Sequence, residues 1–135
     1  MEESVFLYGS AAWTLTETLA KKIDGCFTTL LRSALGFTLR DHVSNKELYA
    51  EVPKATDTIK QKRLKLAGHC YRHQEAASNL VLWTSNHGKR GRGRPARTFV
   101  QQLRDDTGLQ EREMGSMMLS RDQWRIPTGR CATST

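Results

Sequence analysis

The sequence predicts a mainly α-helical chain, a small multi-helix arrangement in which a mobile basic linker separates an N-terminal helical part from a short C-terminal helical pair. Ser or Thr followed three residues later by Glu, the pattern of a capping box, precedes two apolar series. The apolar residues of those series recur at the spacing of one helix face. The linker, 87–97, reads HGKRGRGRPAR and holds five Lys or Arg, three Gly and one Pro. Its few apolar atoms do not offset the entropy of ordering it, which predicts mobility.

Four segments are predicted on this basis. A helical part covers 1–86, the basic linker 87–97, a short helical segment 98–126, and a disordered polar tail 127–135. The chain has 135 residues, which is the size of one small domain. Its 38% hydrophobic content allows only a modest core.

The first predicted helix follows a short apolar opening, residues 4–13, whose pattern fits both a strand and the tail of a helix. Thr14 and Glu17 have capping-box spacing, so the helix is expected to begin there and to end at Gly36. Gly25 inside it indicates that another element packs closely, because glycine otherwise costs helix stability. The predicted apolar face consists of Leu19, Ile23, Cys26, Phe27, Leu30, Leu31 and Ala34.

Two further helices are predicted before the linker. Ser44 and Glu47 repeat the capping-box spacing, and Pro53 ends the short helix that follows. The next helix begins near Thr56 or Asp57 and runs to about residue 73. Its predicted apolar side consists of Ile59, Leu66, Ala67, Cys70 and Tyr71, and its basic side of Lys60, Lys62, Arg63, Lys65 and Arg72.

After the linker, two short helices are predicted. Thr98 is the expected N-cap of the first, which runs through Asp106 and stops at Gly108. The second is expected over 112–125, ended by Pro127 and Gly129. Its apolar members are Met114, Met117, Met118 and Trp124.

Charge is concentrated in the middle of the chain. The net charge is +7, yet residues 54–97 hold eleven Lys or Arg against two acids, a local charge of +9. Everything outside that segment sums to −2. A basic face on a near-neutral body is typical of a nucleic-acid-binding protein. The predicted nucleic-acid-binding residues are Lys60, Lys62, Arg63, Lys65, Arg72, Lys89, Arg90, Arg92, Arg94 and Arg97.

Within the linker, the segment 92–95, Arg-Gly-Arg-Pro, matches the core of an AT-hook. Glycine lets the backbone enter a narrow minor groove, where arginines reach the strong negative potential of A·T tracts. Such short matches arise easily in basic linkers, so nonspecific phosphate contact is the favoured interpretation. A solvated connector without a partner is the third. Tyr71 and Trp83 could stack on unpaired bases, but a core role is favoured for both, as for Trp13 and Trp124.

Little in the sequence indicates catalysis or metal binding. His69 and His73 have the helical i, i+4 spacing that can hold zinc, with Cys70 between them, but no second pair of ligands lies at zinc-finger spacing. They are weak candidates, and no metal or cofactor is expected. The adjacent Asp105 and Asp106 are expected to form a solvated helix end, and Cys26 to be a small core residue.

An intracellular location, nucleus or cytoplasm, is expected. The three cysteines, Cys26, Cys70 and Cys131, are an odd number at wide spacing, which favours a reducing compartment over a disulfide framework. The N-terminus lacks the pattern of a signal peptide, and no apolar run approaches the roughly 18 residues of a membrane span. No membrane partner is therefore expected.

Several ordered blocks carry a family resemblance. They are LYGSAAWTLT, DGCFTTLLRSALGF, RDHVSNKELYAEVP, KRLKLAGHCYRH, GRGRPARTFVQQLRDDTG and SRDQWR. Together they span residues 7–125 and resemble the C-terminal region of reverse transcriptases from non-LTR retrotransposons, most closely the RTE-like endonuclease and reverse transcriptase polyproteins. The resemblance implies that 1–86 is a thumb-like, post-palm region that helps to hold template RNA and target DNA.

The sequence also departs from that family. It contains no Tyr-x-Asp-Asp motif, whose aspartates hold the two catalytic metals, and no endonuclease domain. After residue 125 it leaves the family's pattern, which suggests a truncated or frameshifted end. We therefore expect a noncatalytic fragment that binds RNA or DNA weakly through the basic helix and the linker, by contacts to the nucleic-acid backbone. Two alternatives stay open: an interaction fragment whose apolar helix faces dock on an absent polymerase palm, and a decayed reading frame without a selected role.

Overall fold

A computed structural model describes residues 5–50, 52–73, 81–83, 93 and 97–129. Within these ranges the regular elements are helices, which confirms the predicted mainly α-helical class. Of the predicted linker only Gly93 and Arg97 are described, so its mobility stays a prediction. The helices are α1 (Glu17–Ala34), α2 (Asn45–Leu48), α3 (Ala55–Arg72), α4 (Phe99–Thr107), α5 (Glu111–Leu119) and α6 (Arg121–Gly129), with short 3-10 turns at Ser10–Ala12 and Leu39–Asp41.

Helix α1 starts two residues later than its predicted cap. Thr16, not Thr14, is the N-cap, and its side chain accepts a hydrogen bond from the Leu19 backbone N–H at 3.4 Å. Glu17 is consequently the first helical residue and pairs with Lys21 one turn on. The predicted end is confirmed, because Gly36 adopts a left-handed φ of 73° just beyond the helix.

The buried stripe of α1 is narrower than its predicted apolar face. Phe27 is buried, whereas Leu19 and Leu30 are 47% and 43% exposed. Cys26 is exposed, so its predicted core role is wrong. The close approach expected at Gly25 is also wrong, since no atom lies within 4 Å of the position its Cβ would take. The physical reason is that α1 packs against the neighbouring cluster along a single line of residues, Ile23, Phe27 and Leu31.

The central element of the described chain is α3, which begins within two residues of the predicted start. Its first half packs Ala55 and Ile59 against Leu7 and Phe27. Its second half contributes Leu64 and Ala67 to a separate cluster of buried residues. The other buried members of that cluster are Val81, Leu103, Met114, Met118 and Trp124. The C-terminal helices therefore share a core with α3 instead of forming one of their own.

Both predicted boundaries of the first helix after the linker hold. Thr98 caps α4 by accepting a hydrogen bond from the Gln101 backbone N–H at 3.2 Å, and Gly108 ends it with a φ of 72°. The prediction of a single last helix is wrong, because Ser120 is extended and separates α5 from α6. Its carbonyl accepts from the Trp124 backbone N–H at 3.0 Å, so a separate helix begins after Ser120. Helix α6 also continues through Pro127.

Searched over its described portion, the chain has no helix that is both long and apolar enough to cross a membrane.

Candidate nucleic-acid interface

One predicted nucleic-acid-binding residue, Arg63, is buried. Its side chain is 2% exposed; Nη1 forms an ion pair with Asp106, and Nε donates to the Trp13 carbonyl at 3.1 Å. A guanidinium in this position cannot reach a phosphate, so the prediction for Arg63 is wrong. Asp106 is 10% exposed and forms the ion pair with Arg63, so its predicted role as a solvated helix end is wrong. Helical spacing placed Arg63 on the basic side of α3. Spacing within one helix does not reveal which distant segments cover a residue, so the burial of Arg63 was not predicted.

The ion pair belongs to a polar network that ties the N-terminal segment to α3 and α4. Gln102 donates from Nε2 to Asp106 Oδ1 at 3.2 Å. Its Oε1 accepts from the Leu15 backbone N–H at 3.0 Å. Buried carboxylates and amides are tolerated where their hydrogen bonds are satisfied in this way. The network is therefore structural.

Two more predicted residues, Lys60 and Arg97, face carboxylates. Arg97 pairs with Asp105, and both it and Lys60 line a hollow of about 380 Å³ that Glu17 and Asp106 also line. A hydrogen bond from Lys21 lowers the pKa of Glu17. These carboxylates compete with phosphate for the two cations. The hollow is consequently an unfavourable place for a nucleic-acid backbone.

The other predicted binding residues that the structure describes, Lys62, Lys65 and Arg72, line two adjoining hollows along α3. The first, about 560 Å³, separates α3 from the N-terminal turn, and the second, about 320 Å³, separates α3 from α6. Lys65 and His69 line both. We call the two together the basic groove. Its lining consists of Leu7, Tyr8, Gly9, Ser10, Ala11, Lys62, Lys65, Leu66, His69, Arg72, Arg121, Trp124 and Arg125.

The described lining of the basic groove includes no Asp or Glu, in contrast to the hollow around Lys60 and Arg97. Among the described ion pairs, the cations are Lys21, Arg63, Arg97 and Arg104. These described pairs do not include the groove residues Lys62, Lys65 and Arg72. Their positive charges sum over the groove and attract a polyanion.

A close helix contact forms the α6 wall of the basic groove. The indole Nε1 of Trp124 donates to the Leu64 carbonyl at 2.8 Å, and Trp124 is 3% exposed. A Cβ on Gly68 would lie 2.5 Å from that nitrogen, so only glycine leaves room for the ring. Arg121 and Arg125 flank Trp124 on α6 and are carried to the groove by this contact.

Arg72 adds a second link between the same walls, because its Nη1 donates to the Met118 carbonyl at 3.0 Å. A carbonyl does not neutralise the guanidinium charge. Arg72 is half-buried, and it lines the groove with this charge retained. The contact therefore fixes the position of a cation without cancelling it.

At its other end the basic groove carries an exposed aromatic ring. Tyr8 is 86% exposed, although Leu7 and Ser10 on either side are buried. Gly9 between them has a left-handed φ of 67°, which closes the turn. The turn is therefore anchored from below and displays Tyr8 to solvent.

Sequence reasoning missed Tyr8, Arg121 and Arg125. A signal existed for the two arginines, since SRDQWR places them one helical turn apart on either side of a tryptophan. No local signal identifies Tyr8, whose exposure follows from how the turn packs. Lys89, Arg90, Arg92 and Arg94 lie outside the described residues, so the AT-hook match stays untested in structure.

The predicted metal ligands and the aromatic residues predicted in the core have different outcomes. The rings of His69 and His73 lie 4.3 Å apart at their centroids, tilted by 57°. Searching the described ranges for three or more His, Cys, Asp or Glu that could hold a metal ion finds none. Trp13 and Trp83 are exposed, so their predicted core role is wrong, whereas Trp124 is confirmed as a core residue. Tyr71 packs against the cluster around Leu64 and Trp124.

Comparison with known proteins does not assign the chain to a family: no family model matches it, and searches of curated proteins and of solved structures found no match.

Proposed function

We propose that this chain is a noncatalytic helical module that binds RNA or DNA weakly, by contacts to the nucleic-acid backbone. We also propose that it derives from the C-terminal region of a non-LTR retrotransposon reverse transcriptase of the RTE-like type. The observation that carries the proposal is the basic groove along α3, whose described lining includes no Asp or Glu. The sequence blocks that resemble the family support the second part. The place of action would be the nucleus or the cytoplasm.

The groove and the linker are complementary parts of this proposal. Lys62 and Lys65 project from one side of α3, and the five linker cations occur without an acid between residues 87 and 97. Contacts between such cations and phosphates release counterions, which makes binding sensitive to salt. Binding of this kind is sequence-independent, and it needs no metal or cofactor.

The test is the salt dependence of binding by the 135-residue chain, measured by fluorescence anisotropy. If the four linker cations outside the Arg97–Asp105 ion pair contact phosphate, they contribute a slope of roughly −3.6 in log K against log salt on duplex DNA. Replacing Lys89, Arg90, Arg92 and Arg94 with Ala, which leaves that ion pair intact, should remove this contribution. The matched control replaces four exposed cations elsewhere, Lys22, Arg40, Lys46 and Arg112, with Ala. If both quadruple variants changed the salt slope equally, the linker would contribute only through the net charge of the chain and not through specific phosphate contacts.

The AT-hook interpretation is tested separately with an A·T-rich and a G·C-rich duplex of equal length. Minor-groove insertion at 92–95 predicts tighter binding to the A·T-rich duplex, because its groove is narrower and more negative. Equal affinities would retire that interpretation and leave phosphate contact.

A second function is favoured by the outer face of α1. Leu19 and Leu30 are exposed on that helix, and Leu35 and Phe37 beyond its end are exposed too. Such a face suits an interaction fragment that docks on a polymerase palm. It predicts self-association of the isolated chain without salt-dependent nucleic-acid binding. Sedimentation of the chain and of a variant carrying Leu19→Gln and Leu30→Gln checks this, and a monomer in both cases would contradict it.

A further inference from the structure

We propose that the basic groove is a site for single-stranded nucleic acid, in which the phosphates follow α3 between the N-terminal turn and α6 while an unpaired base stacks on Tyr8. This inference rests on the proposed function and deepens it, since it names the form of nucleic acid and adds residues that the basic pattern of the sequence did not include. Three observations carry it: the two-sided arrangement of cations, the length of the groove, and the exposed ring at its end.

The cations come from both walls of the groove. Lys65 and Arg72 belong to α3, and Arg121 faces them from α6. A strand lying in the groove therefore meets positive charge on both sides. The stretch of α3 from Lys62 to Arg72 rises about 15 Å, which is long enough to lie beside more than one phosphate of a strand.

The ring of Tyr8 distinguishes a single strand from a duplex. In a duplex the base faces are covered by their neighbours in the stack, and only the edges and the phosphates are accessible. A single strand can turn a base outward to stack on an aromatic side chain. Tyr8 is 86% exposed and lines the same hollow as Lys62 and Lys65, so a base stacked there leaves its phosphates beside those two lysines.

The apolar lining next to Tyr8 agrees with this arrangement. Ala11 and Leu66 line the same hollow as the ring, and Leu66 is 37% exposed. The hollow farther along, between α3 and α6, is lined by five cationic or imidazole side chains and Trp124. The groove thus offers aromatic and apolar surface to a base at one end and cations to phosphates at the other. A polynucleotide strand presents both of these groups.

The experiment measures binding of the full chain to three probes of equal length: an oligouridine RNA, an oligothymidine DNA, and a duplex DNA. We expect both single strands to bind more tightly than the duplex at equal salt. Tyr8→Ala should weaken single-strand binding about 5- to 150-fold, the range measured for loss of one stacked base. Tyr8→Phe keeps the ring and should bind like the parent chain. A loss of the same size in both variants would overturn the stacking role.

The phosphate end is tested by replacing one cation on each wall, Lys65→Ala with Arg121→Ala. This variant should flatten the salt slope for single strands by roughly 1.4, the contribution of two phosphate contacts. The matched control, Lys46→Ala with Arg112→Ala, removes one lysine and one arginine from exposed positions outside the groove. Equal changes in the two double variants would overturn the assignment. Circular dichroism and thermal unfolding of each variant establish that it is folded.

The outcomes separate this inference from the function on which it rests. Salt-dependent binding that is as tight for the duplex as for the single strands, and unchanged by Tyr8→Ala, would end the inference and leave nucleic-acid binding in place. Absence of salt-dependent binding to every probe would end both. Heparin serves as a polyanion without bases: if Tyr8→Ala weakens its binding as much as that of oligouridine, base stacking is excluded.

Discussion

Arg63 shows how one buried residue can organise a small helical protein. Its guanidinium meets Asp106 and the Trp13 carbonyl, while Nη2 finds no hydrogen-bond partner among the described residues. Burying both charges costs desolvation energy, and their attraction offsets that cost only while both partners are present. The free energy of unfolding should therefore depend strongly on either partner.

Arg63→Ala and Asp106→Asn should each lower the free energy of unfolding by about 3 to 5 kcal/mol, because each leaves an uncompensated buried group. Denaturant unfolding followed by circular dichroism measures this loss. Arg104→Ala is the control, since Arg104 pairs with Glu111 on the surface and such pairs contribute up to about 1 kcal/mol. Similar losses for Arg63→Ala and Arg104→Ala would contradict the structural role of the buried pair.

A second residue-level prediction concerns Asp41, which holds the loop after α1. Its Oδ2 accepts from the Thr38 backbone N–H at 2.6 Å and from the Thr38 hydroxyl at 2.8 Å. These hydrogen bonds lower the pKa of Asp41, so the folded state favours the carboxylate. A depressed pKa contributes stability that is present above the ordinary aspartate pKa and is lost as pH falls through the folded value.

The Asp41→Asn variant should consequently be less stable than the parent chain at neutral pH, and the difference should shrink as pH falls below about 4. Thermal unfolding at a series of pH values measures it. A carboxyl NMR titration of Asp41 gives the pKa directly, and an unshifted midpoint would contradict the expected pH dependence.

At the level of elements, the crossing of α3 with the C-terminal helices depends on two glycines. A Cβ at Gly68 would meet the Trp124 ring, and one at Gly115 would lie 2.9 Å from the Tyr71 hydroxyl oxygen. Neither position leaves room for a methyl group without moving a packed aromatic side chain. Glycine at these sites sets how closely α3 approaches α5 and α6.

Gly68→Ala should lower the free energy of unfolding by about 1 to 3 kcal/mol, because it displaces Trp124 and strains its hydrogen bond to Leu64. Gly25→Ala is the matched control within α1. No atom lies near its Cβ position, so alanine should stabilise that helix by up to about 1 kcal/mol. The two changes share one chemistry and should have opposite signs in chemical unfolding. The same sign for both would show that packing at Gly68 is looser than described.

At the level of the whole molecule, two clusters of buried residues share α3 as their common wall. One forms around Phe27 and Ile59, and the other around Leu64 and Trp124. The second cluster takes buried residues from both sides of the predicted linker. The segments 1–86 and 98–126 are therefore joined through packing as well as through sequence.

A chain ending at residue 97 should consequently lose cooperative unfolding, since it exposes Leu64 and Ala67. Calorimetry of the shortened chain measures this. Adding a peptide of residues 98–129 in trans should restore helicity and a transition. Cooperative unfolding of the shortened chain without the peptide would mean that the first cluster is sufficient.

Local sequence was enough for the fold class and most helix boundaries. Ser44 caps α2, Thr98 caps α4, and Gly108 ends α4 as predicted, because each device uses hydrogen bonds between residues at most four apart. The exceptions have local reasons as well: two threonines compete at the start of α1, and Ser120 can cap a helix as well as sit within one. Lys65 and Arg72 were correctly placed on a basic face by helical spacing.

Which side of a helix is covered required the packing of distant segments. Arg63 and Lys60 share a pattern in sequence, yet Arg63 is buried because Asp106, 43 residues away, and the Trp13 carbonyl meet it there. Tyr8 and Arg121 enter one groove only because α3 lies between the elements that carry them. Helix formation depends on contacts within a turn, whereas burial depends on contacts that the periodicity of a single helix does not specify.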